Sequence, residues 1–71
     1  MTLKKRSFSL SGHRTSVALE PEFWTVLERL AAARSLSVAA LIAAIDANRG
    51  PRPLASACRV AALAFAGDGA I

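Results

Sequence analysis

The chain has 71 residues, 54% apolar and 20% charged, too hydrophobic for a disordered tail and too short for a large catalytic cleft, since a chain this size buries only about 60% of its extended surface. One cysteine, Cys58, and one histidine, His13, exclude an intrachain disulfide and a zinc site, and no cofactor is expected. The net charge of +4 lies wholly in the first nineteen residues, where Lys4, Lys5, Arg6 and Arg14 stand without an acid while the remainder sums to zero, a footprint suited to a polyanionic partner.

After the first charges, Ser7-Phe8-Ser9-Leu10-Ser11 lacks the apolar core of a secretory signal. The longest apolar run, Val38 to Ile45, has eight residues, whereas a bilayer span takes about 20. A cytoplasmic location without membrane attachment is therefore expected. A core this small rarely yields more than about 3–5 kcal/mol, so an apolar chain without staples is expected to cover part of its surface with a second copy.

Residues 13–19 alternate, with Thr15, Val17 and Leu19 on one side and Arg14, Ser16 and Ala18 on the other, the period-two pattern of a strand. Ser7 to Ser11 also alternates, but Phe8 and Leu10 occupy the even positions, out of phase with Val17 and Leu19. Gly12 lies between and can host a bulge or a turn. One kinked strand and a short hairpin both remain open. No internal repeat stands out along the chain.

Glu20-Pro21-Glu22 reads as a helix start, with proline at the first helical position and carboxylates at the positive end of the dipole. Phe23, Leu27, Leu30, Ala31 and Arg34 then follow one side, with Trp24 beside them, predicting a helix over 21–34. Ser37 is the N-cap of a second helix whose Val38, Leu41, Ile42 and Ile45 recur at i, i+3, i+4 and i+7. Asn48-Arg49-Gly50-Pro51 closes it. Pro53 and Ser56 open a third helix, expected to turn Ala57, Val60, Ala61 and Ala64 inward with Leu63 and Phe65 flanking, to stop at Gly67, and to leave a frayed tail.

The confident strand, 13–19, has unpaired backbone on both edges and no confident partner in the chain, so pairing with a second copy is expected. Such a ribbon would turn Val17 and Leu19 toward the helices and Arg14, Ser16 and Ala18 outward. A two-stranded ribbon fits the major groove of B-DNA, where arginine grips guanine and hydroxyls serve donors or acceptors.

The segments Arg14-Thr15-Ser16-Val17-Ala18-Leu19-Glu20 and Ser35-Leu36-Ser37-Val38-Ala39-Ala40-Leu41-Ile42, with the helix between them, resemble the ribbon-helix-helix family of dimeric DNA-binding proteins. The resemblance covers roughly residues 13–50. Gly12 to Val17, Phe23-Trp24 and the third helix are similar to a compact bacterial subgroup of that family. It implies a mainly α fold with one N-terminal strand pairing antiparallel across a homodimer, two core helices and a third C-terminal helix. The parts would be a basic arm (1–12), the ribbon-helix-helix core (13–50) and a C-terminal helix with its tail (51–71).

The resemblance places base contacts on Arg14, Ser16 and Ala18, and a phosphate clamp on the backbone of Ser37, Val38 and Ala39, where free N–H groups at a helix start favour an anion. Lys4, Lys5 and Arg6 would touch phosphates, adding affinity and salt dependence rather than sequence choice. The dimer core would comprise Thr15, Val17, Leu19, Trp24, Leu27, Leu41, Ile42 and Ile45. Two departures stand out: Ser35 occupies a turn position where glycine is frequent, at a cost if its backbone is left-handed, and Ala18 is apolar where a polar reader is common.

The implied activity is sequence-specific binding of duplex DNA as a repressor or an antitoxin-type autoregulator, with a toxin or other protein as a further candidate partner. The competing reading is a protein-interaction module that keeps the dimer and loses DNA contact. Ser16, His13 and Glu20 make no credible hydrolase triad, since the chain has little material for a nucleophile pocket and an oxyanion hole; an enzyme is not expected. Cys58 reads as a buried small hydrophobe.

Overall fold

The structure, a computed structural model, describes residues 2–69. Two strands, β1 (Lys4–Leu10) and β2 (His13–Leu19), are followed by three helices, α1 (Pro21–Ala33), α2 (Val38–Asn48) and α3 (Leu54–Gly69). The strands pair antiparallel with each other, from Lys4 opposite Leu19 to Leu10 opposite His13. Ser11 and Gly12 join them with φ of 52° and 81°, the two consecutive left-handed residues of a tight hairpin turn whose twist matches that of the strands.

β2 is therefore not a lone strand within the chain: it pairs with β1 immediately upstream across the two-residue turn, and residues 4–10 of the stretch set apart as a basic arm (1–12) form β1. The out-of-phase pattern is the reason. Every cross-strand pair joins an even-numbered residue to an odd-numbered one, so Phe8 and Leu10 share a face with Val17 and Leu19 because the turn between the strands holds an even number of residues, here two.

That inward face carries the core. Phe8, Leu10, Val17 and Leu19 are buried against Trp24, Leu27, Leu30 and Ala31 of α1 and against Leu41 and Ile42 of α2. The apolar set read as a dimer core is therefore enclosed within one chain: Val17, Leu19, Trp24, Leu27, Leu41 and Ile42 are buried there, while Thr15 and Ile45 are half-buried.

Helix boundaries follow local chemistry. Pro21 begins α1 as expected, and the helix ends at Ala33, one residue early. The Leu36 amide donates to the Ala31 carbonyl (2.8 Å) and the Ser35 amide to that of Ala32 (3.1 Å), a Schellman closure that requires a left-handed residue at Ser35. Its φ is 57°. Ser37 caps α2, its hydroxyl accepting from the Ala40 amide at 3.0 Å, and Gly50, at φ 58°, leads the chain away.

α3 differs from expectation. Ala57, Cys58 and Ala62 are buried with Leu54, Ala61 and Phe65 partly so, whereas Val60 is 46% and Leu63 70% exposed. The bulkier Leu54, Cys58 and Phe65 share a face at helical spacing and give more apolar burial than the alanines chosen from periodicity. The helix continues to Gly69 rather than stopping at Gly67; the rest of the expected frayed tail, 70–71, lies outside the described residues. α3 packs on α1, α2 and β2. Burial pushes the Cys58 thiol up to about 11, only partly offset by Arg59 nearby, so it stays protonated and unreactive at neutral pH.

Candidate nucleic-acid interface

The outward face of the hairpin is polar because its inward face claims the apolar residues. Lys5, Ser7 and Ser9 of β1 are exposed there beside exposed Arg14 and Ser16 and half-buried Ala18 of β2. The register sets Lys5 opposite Ala18, Ser7 opposite Ser16 and Ser9 opposite Arg14. The Ser7 and Ser16 hydroxyls lie 3.0 Å apart, a hydrogen bond either can donate, leaving one proton free for an external acceptor.

Arg14, Ser16 and Ala18 thus share one surface, as expected. Sequence reasoning missed Ser7 and Ser9 as members of that surface, and the signal was present: once Phe8 and Leu10 point inward, the odd positions of β1 must point outward.

The basic trio separates. Lys5 stands on the outward face, and neither it nor Arg14 makes an ion pair among the described residues. Arg6 turns toward the helices, pairing with Glu28 at 3.0 Å and lying 4.7 Å from the centre of the Trp24 ring. It joins ribbon to α1, a departure from a free phosphate-seeking side chain. Lys4 is exposed at its side chain, while its carbonyl accepts the Trp24 indole N–H at 2.8 Å. A cleft of about 320 Å³ at the open end of the hairpin is nevertheless lined by all three, with Pro21, Trp24, Thr25 and Glu28.

Trp24 sits at 2% exposure with Phe8 6.0 Å from it, centre to centre. Its polar atom is satisfied within the chain by the Lys4 carbonyl, as a buried indole requires, and the ring belongs to the core cluster.

Two further arginines are engaged elsewhere. Arg59 binds Glu20 at 3.0 Å and lies over Phe23, and Arg49 binds Asp46. A backbone hydrogen bond and then the Arg59 side chain hold the Glu20 carboxyl below its ordinary range.

At the start of α2 the Ala40 and Leu41 amides are taken by Ser37. Those of Val38 and Ala39 belong to the first turn, where a helix offers no internal acceptor, so these two donors lie at the positive end of the dipole without a partner inside the helix. α2 packs against β1, so this helix is anchored directly to the ribbon.

Among the described residues no cluster of three metal-ligating side chains occurs, and no single helix is long and apolar enough to cross a membrane. A family model described as a ribbon-helix-helix domain matches residues 3–66. The match takes in β1 and α3 as well as the 13–50 segment that carried the resemblance, so the basic stretch is part of the domain. No curated protein and no solved structure matches the chain.

Proposed function

The chain belongs to the ribbon-helix-helix domain family, and from that premise we propose that it binds duplex DNA sequence-specifically, laying the outward face of its ribbon in the major groove. Ribbon-helix-helix domains are generally DNA-binding transcription regulators, typically dimerize, and are not an enzyme family. The observation that carries the reading is the outward face itself: two cations that make no ion pair among the described residues, three serines and one small apolar residue on a two-stranded ribbon of groove-compatible width.

Within this reading Arg14 grips guanine, Ser16 serves a base edge and Ala18 meets a thymine methyl. Lys4 and the Val38 and Ala39 amides, with Ser37 holding the helix start, meet phosphates and supply salt-dependent affinity. The working unit is a homodimer acting in the cytoplasm as a repressor or antitoxin-type autoregulator. Its dimerization is supported by family habit and by the exposed Val60 and Leu63 of α3, not by an unpaired strand.

The test is fluorescence anisotropy against selected duplexes with increasing salt. Affinity that falls steeply with salt and discriminates cognate from random duplex supports the proposal; the absence of duplex binding at low salt refutes it.

A second reading has its own observation. Ala39, Ala40, Ala43, Ala44 and Ala47 are exposed along α2, and Leu36, Val60 and Leu63 are exposed nearby in sequence or on α3, surface suited to a protein-interaction module or a toxin contact. A flat salt response together with stoichiometric binding of a protein partner would favour it.

A further inference from the structure

α2 and α3 enclose a furrow made of two joined hollows, neither of them lined by β1 or β2. The larger, about 260 Å³, lies by the turn that links the helices, with Ile45 on one wall, Ala57 and Ala61 on the other, and Arg49 and Arg52 beside them. The smaller, about 160 Å³, continues past the same Ile45 and Ala61 to Ala64 and Phe65 and reaches Arg34, the C-cap of α1. The floor is apolar throughout, and cations stand at both ends.

The rim is unbalanced in charge. Among the described residues three arginines line the two hollows and no carboxylate does. Asp46 neutralises Arg49 at 2.6 Å, whereas Arg34 and Arg52 make no ion pair among the described residues. Arg52 spends one donor on the Ser56 hydroxyl at 3.3 Å. Guanidinium groups so placed suit carboxylates, which their planar fork grips with two hydrogen bonds. The apolar floor asks for more than a small anion or a phosphate chain, since neither has an apolar ridge to set into it.

Both walls are helices, whose backbone groups are bonded internally, so an extended peptide finds no edge to pair with. A helix brings its own satisfied backbone into an apolar site. The furrow runs from Leu41 to Asn48 along α2 and from Ala57 to Phe65 along α3, ~10–12 Å at 1.5 Å per residue. Apolar side chains at i, i+4 and i+7 of an incoming helix span ~10 Å.

We propose that the α2–α3 furrow docks a short amphipathic helix of another protein, whose apolar stripe fills the two hollows and whose carboxylates, one at each end of that stripe, meet Arg34 and Arg52. The inference is independent of DNA recognition, because the ribbon face stays open, and the duplex assay above reports on that face separately.

A second copy of this chain is a poorer occupant. The large apolar side chains exposed among the described residues are Leu3, Leu36, Val60 and Leu63. Of these Val60 and Leu63 lie on a helix, and the stretch around them, 59–66, brings Arg59 and no acid to meet Arg34 and Arg52. Leu63 lies outside the furrow, so that side of α3 serves a dimer without closing it.

The test is selection of 20-residue helical peptides from a display library on the full chain, then fluorescence anisotropy of the enriched peptides against the chain and against Arg34→Glu, Arg52→Glu and Ala64→Trp. Enriched peptides carry apolar residues at i, i+4 and i+7 with Asp or Glu beyond each end. Each arginine reversal weakens their binding by about 2- to 30-fold. Lysine in place of the peptide's acid at the affected end restores binding to the reversed variant and weakens binding to the unmodified chain. Ala64→Trp fills the smaller hollow and weakens binding by more than about 5-fold. All three positions are exposed, and circular dichroism checks folding; should Ala64→Trp fail to fold, the reversals and the lysine peptides decide alone.

Enrichment of peptides without acids, binding indifferent to all three changes, or no enrichment at all overturns the inference. A fall in the sedimentation mass of the chain alone on Ala64→Trp also overturns it, giving the furrow to a second copy. Duplex affinity lost in both reversals with peptide binding intact does the same, giving the rim to DNA.

Discussion

The two faces of one hairpin are built from alternate residues of the same fourteen positions, yet they are governed by different physics. Inward, Phe8, Leu10, Val17 and Leu19 lie at 0–9% exposure, where each buried side chain contributes about 1.5–3 kcal/mol and an unpaired charge at any of the four would be strongly destabilising. Outward, Lys5, Ser7, Ser9, Arg14 and Ser16 are exposed and contribute little to stability, which frees them to be chosen for a partner. The difference teaches that a residue's neighbour in sequence is the least informative guide to its role: Val17 belongs with Trp24 and Leu41, and Ser16 belongs with Ser7.

Val17→Asp should unfold the chain, removing the whole ~3–5 kcal/mol available to a core this small, whereas Ser16→Asp should leave the urea midpoint nearly unchanged and abolish duplex binding through charge repulsion. A folded Val17→Asp protein would mean the inward face is not the core. Next in size, Arg14→Ala should cost about 1–3 kcal/mol in cognate DNA affinity while shifting stability by less than ~0.5 kcal/mol. An equal loss of folding stability would show that the outward face is structural after all.

Trp24→Phe should cost about 1–3 kcal/mol of stability by leaving the Lys4 carbonyl without its 2.8 Å donor, and thermal melts of the two proteins would measure it. Cys58 reports on the core. A thiol held near 11 in the folded state ionises first in the unfolded chain, so its contribution is complete below about pH 8.5 and is lost as pH rises toward the folded value. Unfolding midpoints at pH 8 and pH 10 should differ by on the order of 1 kcal/mol from this group, and Cys58→Ala should remove that part of the slope. Smallest, Ser35→Gly should raise stability by up to ~1 kcal/mol by relieving a left-handed serine, as read from the same melts, with no effect on DNA binding.

Much of this was legible in the residues. Pro21, Ser37 and Gly50 mark helix ends by chemistry that acts within a few residues, and the alternation of 13–19 assigned Arg14, Ser16 and Ala18 to the outward face correctly. The hairpin was half legible: Phe8 and Leu10 carried the phase that a two-residue turn needs, but Gly12 was equally consistent with a bulge. Arg6 was not legible as a helix-facing residue, because its partners Glu28 and Trp24 are brought to it by packing. The face of α3 was misjudged because an alanine-rich helix has little periodic contrast.

Local chemistry alone therefore determined which segments are strand or helix, where they stop, and which side of β2 is polar, since these depend on backbone preferences and on the two- or 3.6-residue repeat of side chains. Only the tertiary structure decided that β2 pairs with β1 of its own chain, that Trp24 and Leu41 share one core, and that Arg6 meets Glu28 of α1. Those outcomes turn on which of several apolar surfaces and strand edges meet, a competition among contacts distant in sequence that no local pattern records.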